Sequence, residues 1–289
     1  MAEQRIVRPV ATERPELGTP VSGGAVARAY DRLAASYDGY VAGDRWIRST
    51  LWTHYARVFR AGDRVLDVSC GTGLDGAFLA QRGVRVTGID ISPGMVDEFR
   101  ERARRTGLAH LMDALVMDAA DLSALDGQGF DGLISAFAGL NTLPDLGAFA
   151  AGAARALRPG GRVVVHLLNR FSSWEWLVLV RQGRWNDARA LGRGDTRDFT
   201  IGGETVPHHL YAPREAYRAF APHFELEAIQ GLGAVCPPPS LVNFPAGLRR
   251  ALERLDPRLG VHAPLRERGR FFVLDMTARP ARGTAHDGP

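Results

Sequence analysis

The sequence predicts an α/β fold whose seven-stranded, mostly parallel sheet is covered by helices on both faces. From Arg64 onward, short apolar runs alternate with helical segments, as in βαβ units joined by right-handed crossovers. A glycine-rich turn links the first of these runs to a helix. Two segments near the C-terminus, 224–229 and 271–277, alternate in polarity as strands do and are predicted to complete the sheet.

The segment before the sheet is predicted to be helical after a loose start. Residues 1–22 contain three prolines and little periodicity, so we expect a flexible N-terminal arm. Apolar residues at helical spacing predict helices over 23–36 and 44–59. Together these helices form a predicted helical preface, or lid, over residues 23–62.

The core of the fold is assigned to residues 63–170. Its predicted strands are 65–68, 84–89, 115–117, 131–137 and 162–168, and its predicted helices are 74–82, 93–105 and 145–157. After Asn169 the alternation stops and aromatic residues become frequent, which predicts a capping insertion over 171–212. Residues 213–279 are predicted to complete the sheet with a helical excursion, and residues 280–289 to form a disordered tail.

Composition excludes several classes of protein. Hydrophobic residues make up 45% and charged residues 24% of the chain, an ordinary globular balance. No apolar stretch approaches the roughly 18–20 residues of a membrane helix, and the N-terminus lacks the apolar core of a signal peptide. Because Cys70 and Cys236 are the only cysteines, we expect no disulfide framework and a cytoplasmic location.

The net charge is +4, and the sequence contains arginine but no lysine. The densest basic run, 100–105, lies on a predicted helix and is balanced by nearby acidic residues, which is typical of a solvated helix face. We therefore do not expect a nucleic-acid partner, and we expect a monomer or a homodimer.

The glycine-rich turn indicates a nucleotide site. Gly71, Gly73 and Gly76 suit a tight turn against a ligand, a pattern shared with NAD- and FAD-binding proteins. Asp90 ends the second strand, 19 residues after Gly71, where a carboxylate can accept hydrogen bonds from ribose hydroxyls. Asp67 precedes the turn and would repel a pyrophosphate, whereas it suits a phosphate-free ligand that carries an ammonium group. S-adenosylmethionine is such a ligand.

Five segments in order resemble the motifs of class I S-adenosylmethionine-dependent methyltransferases. They are residues 65–73, 88–95, 117–122, 130–137 and 157–162, and the resemblance covers about residues 25–170. It implies the Rossmann-like fold of that family, with S-adenosyl-L-methionine as cofactor and S-adenosyl-L-homocysteine as product. The cofactor-binding residues that it implies are Asp67, Ser69, Cys70, Gly71, Thr72, Gly73, Asp90, Ile91, Met95, Asp118, Ala119, Ala136 and Phe137.

Residues 28–38 further resemble the helix that precedes the core in the ubiquinone and menaquinone methyltransferase-like branch. In that branch an aromatic side chain from this region closes over the cofactor, and Tyr37 is the matching residue. Tyr30 and Tyr37 could instead both face the protein core. We favour the core for Tyr30 and leave both alternatives open for Tyr37.

Motifs that are missing narrow the acceptor. The segment after the fourth strand, 135–138, lacks the Asn/Asp-Pro-Pro-aromatic sequence of enzymes that methylate amino groups of adenine, cytosine or glutamine. Neither cysteine lies in a motif suited to C5 methylation of a pyrimidine. The remaining acceptor is an O, N or C atom of a small, apolar or aromatic metabolite in specialised or quinone-like metabolism. The alternatives are an RNA or protein methyltransferase, and a non-methylating protein of the same fold.

Candidate catalytic residues lie where the fifth strand and the cap approach the ligand edge. His166 near the end of the fifth strand is a candidate base or a buried core histidine. His208 and His209 are adjacent on a predicted extended segment, so only one of them should face the pocket. Asn141 after the fourth strand could orient an acceptor or satisfy its own loop. No metal-ligand spacing is present, and no metal is expected.

Overall fold

The computed structural model describes residues 23–241 and 244–280. The arm predicted for residues 1–22 lies outside this range, as does the predicted tail beyond residue 280.

A seven-stranded mixed sheet forms the centre, as predicted. The strands of the described chain are β1 (Arg64–Val68), β2 (Arg85–Asp90), β3 (Met112–Val116), β4 (Phe130–Ser135), β5 (Leu157–Leu168), β6 (Thr196–Ile201), β7 (Glu204–His209), β8 (Phe224–Leu232) and β9 (Phe271–Ala278). The order across the sheet is β3-β2-β1-β4-β5-β9-β8, in which only β9 runs antiparallel to its neighbours. The carboxyl ends of β1, β2, β4, β5 and β8 therefore share one edge.

Helices cover both faces of the sheet. They are α1 (Gly23–Leu33), α2 (Tyr37–Tyr40), α3 (Arg45–Val58), α4 (Leu74–Ala80), α5 (Pro93–Arg105), α6 (Leu146–Ala156), α7 (Ser173–Arg181), α8 (Trp185–Ala190), α9 (Pro213–Phe220) and α10 (Ala246–Leu259). The apolar core is divided into two clusters, one on each face of the sheet. One contains Phe149 and Phe220 from α6 and α9, and the other contains Leu51 and Phe99 from α3 and α5.

Two predicted strand bounds are wrong. The third strand is Met112–Val116 rather than 115–117, because its alternation of buried and exposed residues begins at Met112 beside Val86 of β2. The fifth strand begins at Leu157 rather than 162, since Leu157 already pairs with Phe130. The proline and glycines at 159–161 form an irregularity within this strand, where the register with β4 shifts.

The helix starts follow from local chemistry. Ser92 caps α5 by accepting a hydrogen bond from the Met95 N–H, and Pro93 occupies the first turn, where its missing N–H costs nothing. Asp145 caps α6 by accepting from the Gly147 and Ala148 N–H groups. These caps fix where the loops after β2 and β4 end, and both loops border the site.

The cap predicted for residues 171–212 consists of α7, α8 and the β6–β7 hairpin. The hairpin packs against α1, where Ile201 and Val206 join Ala29 in a small apolar cluster. Arg28 and Arg32 of α1 pair with Glu204 of the hairpin, and the Arg32 guanidinium also donates to the Gly202 carbonyl. The cap therefore holds α1 from the outside, while α1 lies over the sheet edge. No helix of the described chain is long and apolar enough to cross a bilayer.

Candidate functional site

A cavity of about 420 Å³ lies at the carboxyl edge of β1, β2 and β4. Its lining residues come from α1, α2, the loops after β1 and β2, and the turn after β4. They are Val26, Tyr30, Tyr37, Ser69, Gly71, Asp90, Ile91, Met95, Ala136, Phe137, Gly139 and Thr142.

The loop after β1 forms the floor of this cavity with left-handed backbone. Ser69, Gly71 and Gly73 have φ values of 55°, 52° and 80°. A Cβ atom at Gly71 would lie 3.6 Å from the Tyr37 ring, in the cavity itself. A Cβ atom at Gly73 would clash with the Phe99 ring at 2.6 Å. Gly71 therefore keeps the cavity open, and Gly73 lets α4 pack closely against α5.

Asp90 presents a carboxylate in the cavity wall. Its two oxygens accept hydrogen bonds from the Gly71 N–H at 2.9 Å and from the Ser92 N–H at 3.0 Å. Burial raises its pKa above the usual aspartate range, although these backbone hydrogen bonds act in the opposite direction. Because a carboxylate can accept about four hydrogen bonds, capacity remains for hydroxyl groups of a ligand.

Asp67, which is expected to meet the ligand's ammonium group, lies beside the cavity rather than in its wall. The side chain is only 1% exposed and lies beneath the loop, at the end of β1. One of its oxygens has no hydrogen-bond partner in the described chain. Burial and the nearby Asp75 raise its pKa well above the usual range. Every residue of β1 after Arg64 is buried, and Asp67 shares that burial.

A buried cation that the sequence analysis missed lies beside Asp67. Arg48 of α3 forms an ion pair with Asp75, whose other oxygen accepts from the Trp52 indole at 2.8 Å. The Arg48 guanidinium also lies over the Phe137 ring, 4.2 Å from its centre. Its spacing of i, i+3 and i+7 with Leu51 and Tyr55 was the available signal, because it puts an arginine on the apolar stripe of α3.

Two tyrosines of the preface close the cavity. Tyr37 lines it as the family resemblance implies, and Tyr30 lines it too, contrary to the expectation that Tyr30 faces the core. The two rings meet edge to face with centroids 6.3 Å apart. Burial raises the pKa of both phenols above their usual range, so both remain protonated hydrogen-bond donors at neutral pH. Within the predicted preface of residues 23–62, the name lid is used from here on for residues 23–40 only, which contain both tyrosines.

Two carboxylates fasten the lid to the core. Asp31 accepts hydrogen bonds from the Ser92 hydroxyl at 2.5 Å and from the Gly94 N–H at 2.8 Å. Asp38 accepts from the Thr72 hydroxyl at 2.6 Å and pairs with Arg102 at 2.5 Å. Partial burial pushes the pKa of Asp38 upward, but its partners Thr72 and Arg102 outweigh burial and the pKa is lowered. Asp38 therefore stays charged at neutral pH.

The other residues implied by the resemblance divide between the wall and its support. Ser69, Ile91, Met95, Ala136 and Phe137 line the cavity. Four others do not line it but lie behind or beside it. The Cys70 thiol packs towards Gly88, Thr72 bonds to the lid, Asp118 accepts from the Ala120 N–H, and Ala119 belongs to the apolar cluster beneath.

The four candidate catalytic residues lie outside the cavity wall. The Asn141 side chain is fully buried and bonds to the Leu168 N–H and to the His209 carbonyl, so it ties the turn after β4 to the cap. His208 is buried against Phe199, whereas His209 is half-buried on the opposite face of β7. Burial lowers the pKa of His208. His166 lies behind Phe137.

A second, smaller cavity of about 240 Å³ lies beyond the first, between the cap and the start of α3. Trp46 and Trp174 contribute its aromatic walls, and Arg270, paired with Asp44, contributes its charge. Asp256 accepts hydrogen bonds from the Gly233, Val235 and Cys236 N–H groups and thereby fixes the loop that forms its far side. Within the described chain, no group of three His, Cys, Asp or Glu side chains converges on a metal position.

Sequence reasoning missed four residues of the cavity wall: Val26, Tyr30, Gly139 and Thr142. Val26 and Tyr30 share one face of α1 at i, i+4 spacing, and the sequence shows this spacing. Nothing in the sequence says which face of that helix meets the ligand. For Gly139 the reason is a close approach, since a Cβ there would lie 2.4 Å from that of Ser69.

Comparison with known proteins agrees with this geometry. A family described as a methyltransferase domain matches residues 65–161. The chain is 36% identical over 139 residues to a ubiquinone biosynthesis O-methyltransferase of Xanthomonas oryzae pv. oryzae, covering 48% of this chain and 56% of that protein. It is 34% identical over 143 residues to a demethylmenaquinone methyltransferase of Tropheryma whipplei, covering 48% of this chain and 57% of that protein. The chain thus spans little more than half the length of these relatives.

The fold extends further than the sequence similarity. The crystal structure of a 1,6-didemethyltoxoflavin N1-methyltransferase from Burkholderia thailandensis superposes with a TM-score of 0.57 and 21% identity. It covers 96% of this chain and 97% of that chain. The likeness in fold therefore spans nearly the whole chain.

Proposed function

We propose that the chain is a class I S-adenosylmethionine-dependent methyltransferase that methylates a small organic acceptor, and the methyltransferase-domain match of residues 65–161 supports this. The observation that carries this proposal is the cavity in which the left-handed Ser69–Gly71 backbone, the Asp90 carboxylate and the Tyr37 ring converge. These groups fit an adenosyl ligand that has a ribose diol and no phosphate.

Each part of the ligand has a matching surface in this cavity. We assign the ribose hydroxyls to Asp90, the adenine to the apolar Ile91 and Met95, and the amino-acid end to Ser69 and Gly71 under Tyr37. When bound, S-adenosylmethionine supplies a methyl group that the adjacent sulfonium already activates. The protein's task is then to align the acceptor and to exclude water. Positioning of this kind can contribute about 7–11 kcal/mol to catalysis.

The wall offers hydrogen-bond donors rather than a general base. Its titratable members among the described residues are Asp90, which we assign to the ribose, and the phenols Tyr30 and Tyr37. Since both phenols stay protonated, they suit donation to an acceptor oxygen or nitrogen. We propose that the acceptor atom is reactive without a base in the wall, as in a phenolate, an enolate carbon or an amine.

The second cavity supports an apolar or aromatic acceptor. It lies at the same edge of the sheet, over β5, β8 and β9, and carries the Trp46 and Trp174 rings. A cofactor in the first cavity leaves this direction for the acceptor's approach. We propose that the acceptor's body lies towards these rings. The names of two relatives, a ubiquinone biosynthesis O-methyltransferase and a demethylmenaquinone methyltransferase, are in line with this proposal.

We keep cap residues as proposed contributors to acceptor binding. His209 has its carbonyl bonded to Asn141, next to Thr142 in the cavity wall, so it adjoins the site from the cap. His208 faces the opposite way and is buried against Phe199. We therefore propose His209 rather than His208 as the cap histidine near the acceptor, with Asn141 holding the two elements together.

A labelled-methyl assay tests the proposal. The full chain is incubated with S-adenosylmethionine that carries a trideuterated methyl group and with catechols, naphthoquinols or aromatic amines, and products are analysed by mass spectrometry. We expect a product that is 17 mass units heavier than its acceptor, about one CD₃ in place of one hydrogen. The Gly71→Arg variant, whose side chain fills the cavity, should give none.

The same assay separates the alternatives. Transfer to RNA or to protein substrates, with none to small molecules, would favour a macromolecular acceptor. Tight cofactor binding without transfer to any tested acceptor would favour a non-methylating protein of the same fold.

A further inference from the structure

His166 lies in the partition between the two cavities. It is near the end of β5 and only 1% exposed. Its ring meets Phe137 of the first cavity edge to face, with centroids 5.5 Å apart, and tilts against Phe271 at 4.6 Å. Arg270, which lines the second cavity, lies over the Phe271 ring, 4.7 Å from its centre. The imidazole is thus one layer behind the ligand surface.

His166 accepts two hydrogen bonds from the turn after β4. The Phe137 N–H donates to the imidazole Nδ1 at 3.0 Å, and the Ala138 N–H donates to the His166 carbonyl at 3.2 Å. Phe137 and Ala138 have φ values of 51° and 65°, a left-handed backbone conformation that residues other than glycine rarely adopt. Gly139, the next residue, approaches Ser69 so closely that a Cβ would clash. The strained turn therefore packs directly on the cofactor loop.

The hydrogen bond to Phe137 decides the protonation of the ring. A backbone N–H can only donate, so Nδ1 carries the lone pair and Nε2 carries the proton. A second proton on Nδ1 would break this bond. The charged groups that face the ring are the guanidinium groups of Arg270 and Arg48, whose partners are Asp44 and Asp75. A cationic imidazole there would be the third positive charge.

We propose that His166 is a positioning residue, a permanently neutral imidazole that holds the Phe137–Ala138 turn in shape for the cofactor. The expected effect on cofactor binding rests on the proposed function, whereas the contacts of His166 with the turn do not depend on it. It replaces the role of general base that sequence reasoning offered for this histidine. Nδ1 is already engaged, and Nε2 is buried with no partner in the described chain, so neither nitrogen reaches an acceptor.

Two substitutions separate positioning from proton transfer. His166→Asn keeps an acceptor oxygen near the Nδ1 position, whereas His166→Leu leaves the Phe137 N–H without a partner. We expect His166→Asn to keep most of kcat and an unchanged pH profile. We expect His166→Leu to weaken binding of S-adenosylhomocysteine by roughly tenfold, as expected for a lost buried hydrogen bond. A general base would instead lose about 10²–10⁴-fold in kcat in both variants, with unchanged cofactor affinity. His110→Asn, at an exposed site, is the matched control.

Direct observation of the ring needs no enzyme assay. Long-range ¹H–¹⁵N correlation spectra of the wild-type protein give the tautomer, with the His166 signals assigned by their loss in His166→Asn. We expect the Nε2–H form throughout pH 5–8. An Nδ1–H form, or a ring that takes up a proton in that range, would overturn the proposal. If the wild type fails to bind S-adenosylhomocysteine, the proposed function fails while these spectra still decide the role of His166.

Discussion

At the scale of the residue, the site is surrounded by buried ionisable groups whose pKa values are shifted in opposite directions. Burial, with Arg270 and Arg48 nearby, lowers the pKa of His166 to about 3. Burial raises the pKa of Asp67 and of Asp90. Burial thus disfavours the charged form of each group, and the resulting dependence of stability on pH has opposite signs for the histidine and for the two aspartates.

The sign for His166 gives a stability prediction. Unfolded histidine titrates near pH 6.5, so below this value the unfolded chain binds a proton that the folded chain refuses until about pH 3. This group therefore makes the free energy of unfolding fall as pH decreases through that window. We expect the slope of that free energy against pH to be smaller in His166→Asn by up to about 1.4 kcal/mol per pH unit. Urea unfolding at several pH values measures it, and equal slopes in both proteins would contradict it.

Sequence reasoning reached some of these residues and not others for a physical reason. Asp90 and Gly71 were found because their spacing from a strand end sets their position. The burial of Asp67 could not be predicted, because the sequence does not say how deeply the loop after β1 covers the end of that strand. Tyr30 and Arg48 were missed or misread because their positions depend on how α1 and α3 rotate against the sheet, which is a property of packing.

At the scale of the element, the lid is held from both sides. Asp31 and Asp38 bind it to the core, while the β6–β7 hairpin covers its outer face. These contacts hold Tyr30 and Tyr37 at the wall of the first cavity. The strands of the core were predicted closely, but the hairpin was not, because the cap's aromatic composition fits several local structures.

The Asp38 contact gives a prediction about this lid. Asp38→Asn removes the ion pair with Arg102 and weakens the hydrogen bond to Thr72, so the closed lid loses part of its stabilisation. Because the pair is partly exposed, we expect about a two- to fivefold weaker affinity for S-adenosylhomocysteine. Asp126→Asn, which breaks the exposed ion pair with Arg155, is the control and should bind as the wild type does. Equal affinities in all three proteins would remove the role of Asp38 in closure.

At the scale of the whole molecule, two cavities lie along one edge of the sheet. The first lies over β1, β2 and β4, and the second over β5, β8 and β9, with Phe137, His166 and Phe271 between them. This arrangement follows from topology, since parallel strands bring their carboxyl ends together and loops there can bind ligands. A donor and an acceptor can thus approach each other from neighbouring sites.

Calorimetric titration with S-adenosylhomocysteine tests the central claim, that the first cavity binds an adenosyl cofactor. Gly71→Arg fills this cavity, while Gly62→Arg introduces the same side chain at another left-handed glycine in open space. We predict micromolar binding by the wild type and by Gly62→Arg, and loss of binding in folded Gly71→Arg. Binding that persists in Gly71→Arg, or a wild type that binds NAD instead, would contradict the account.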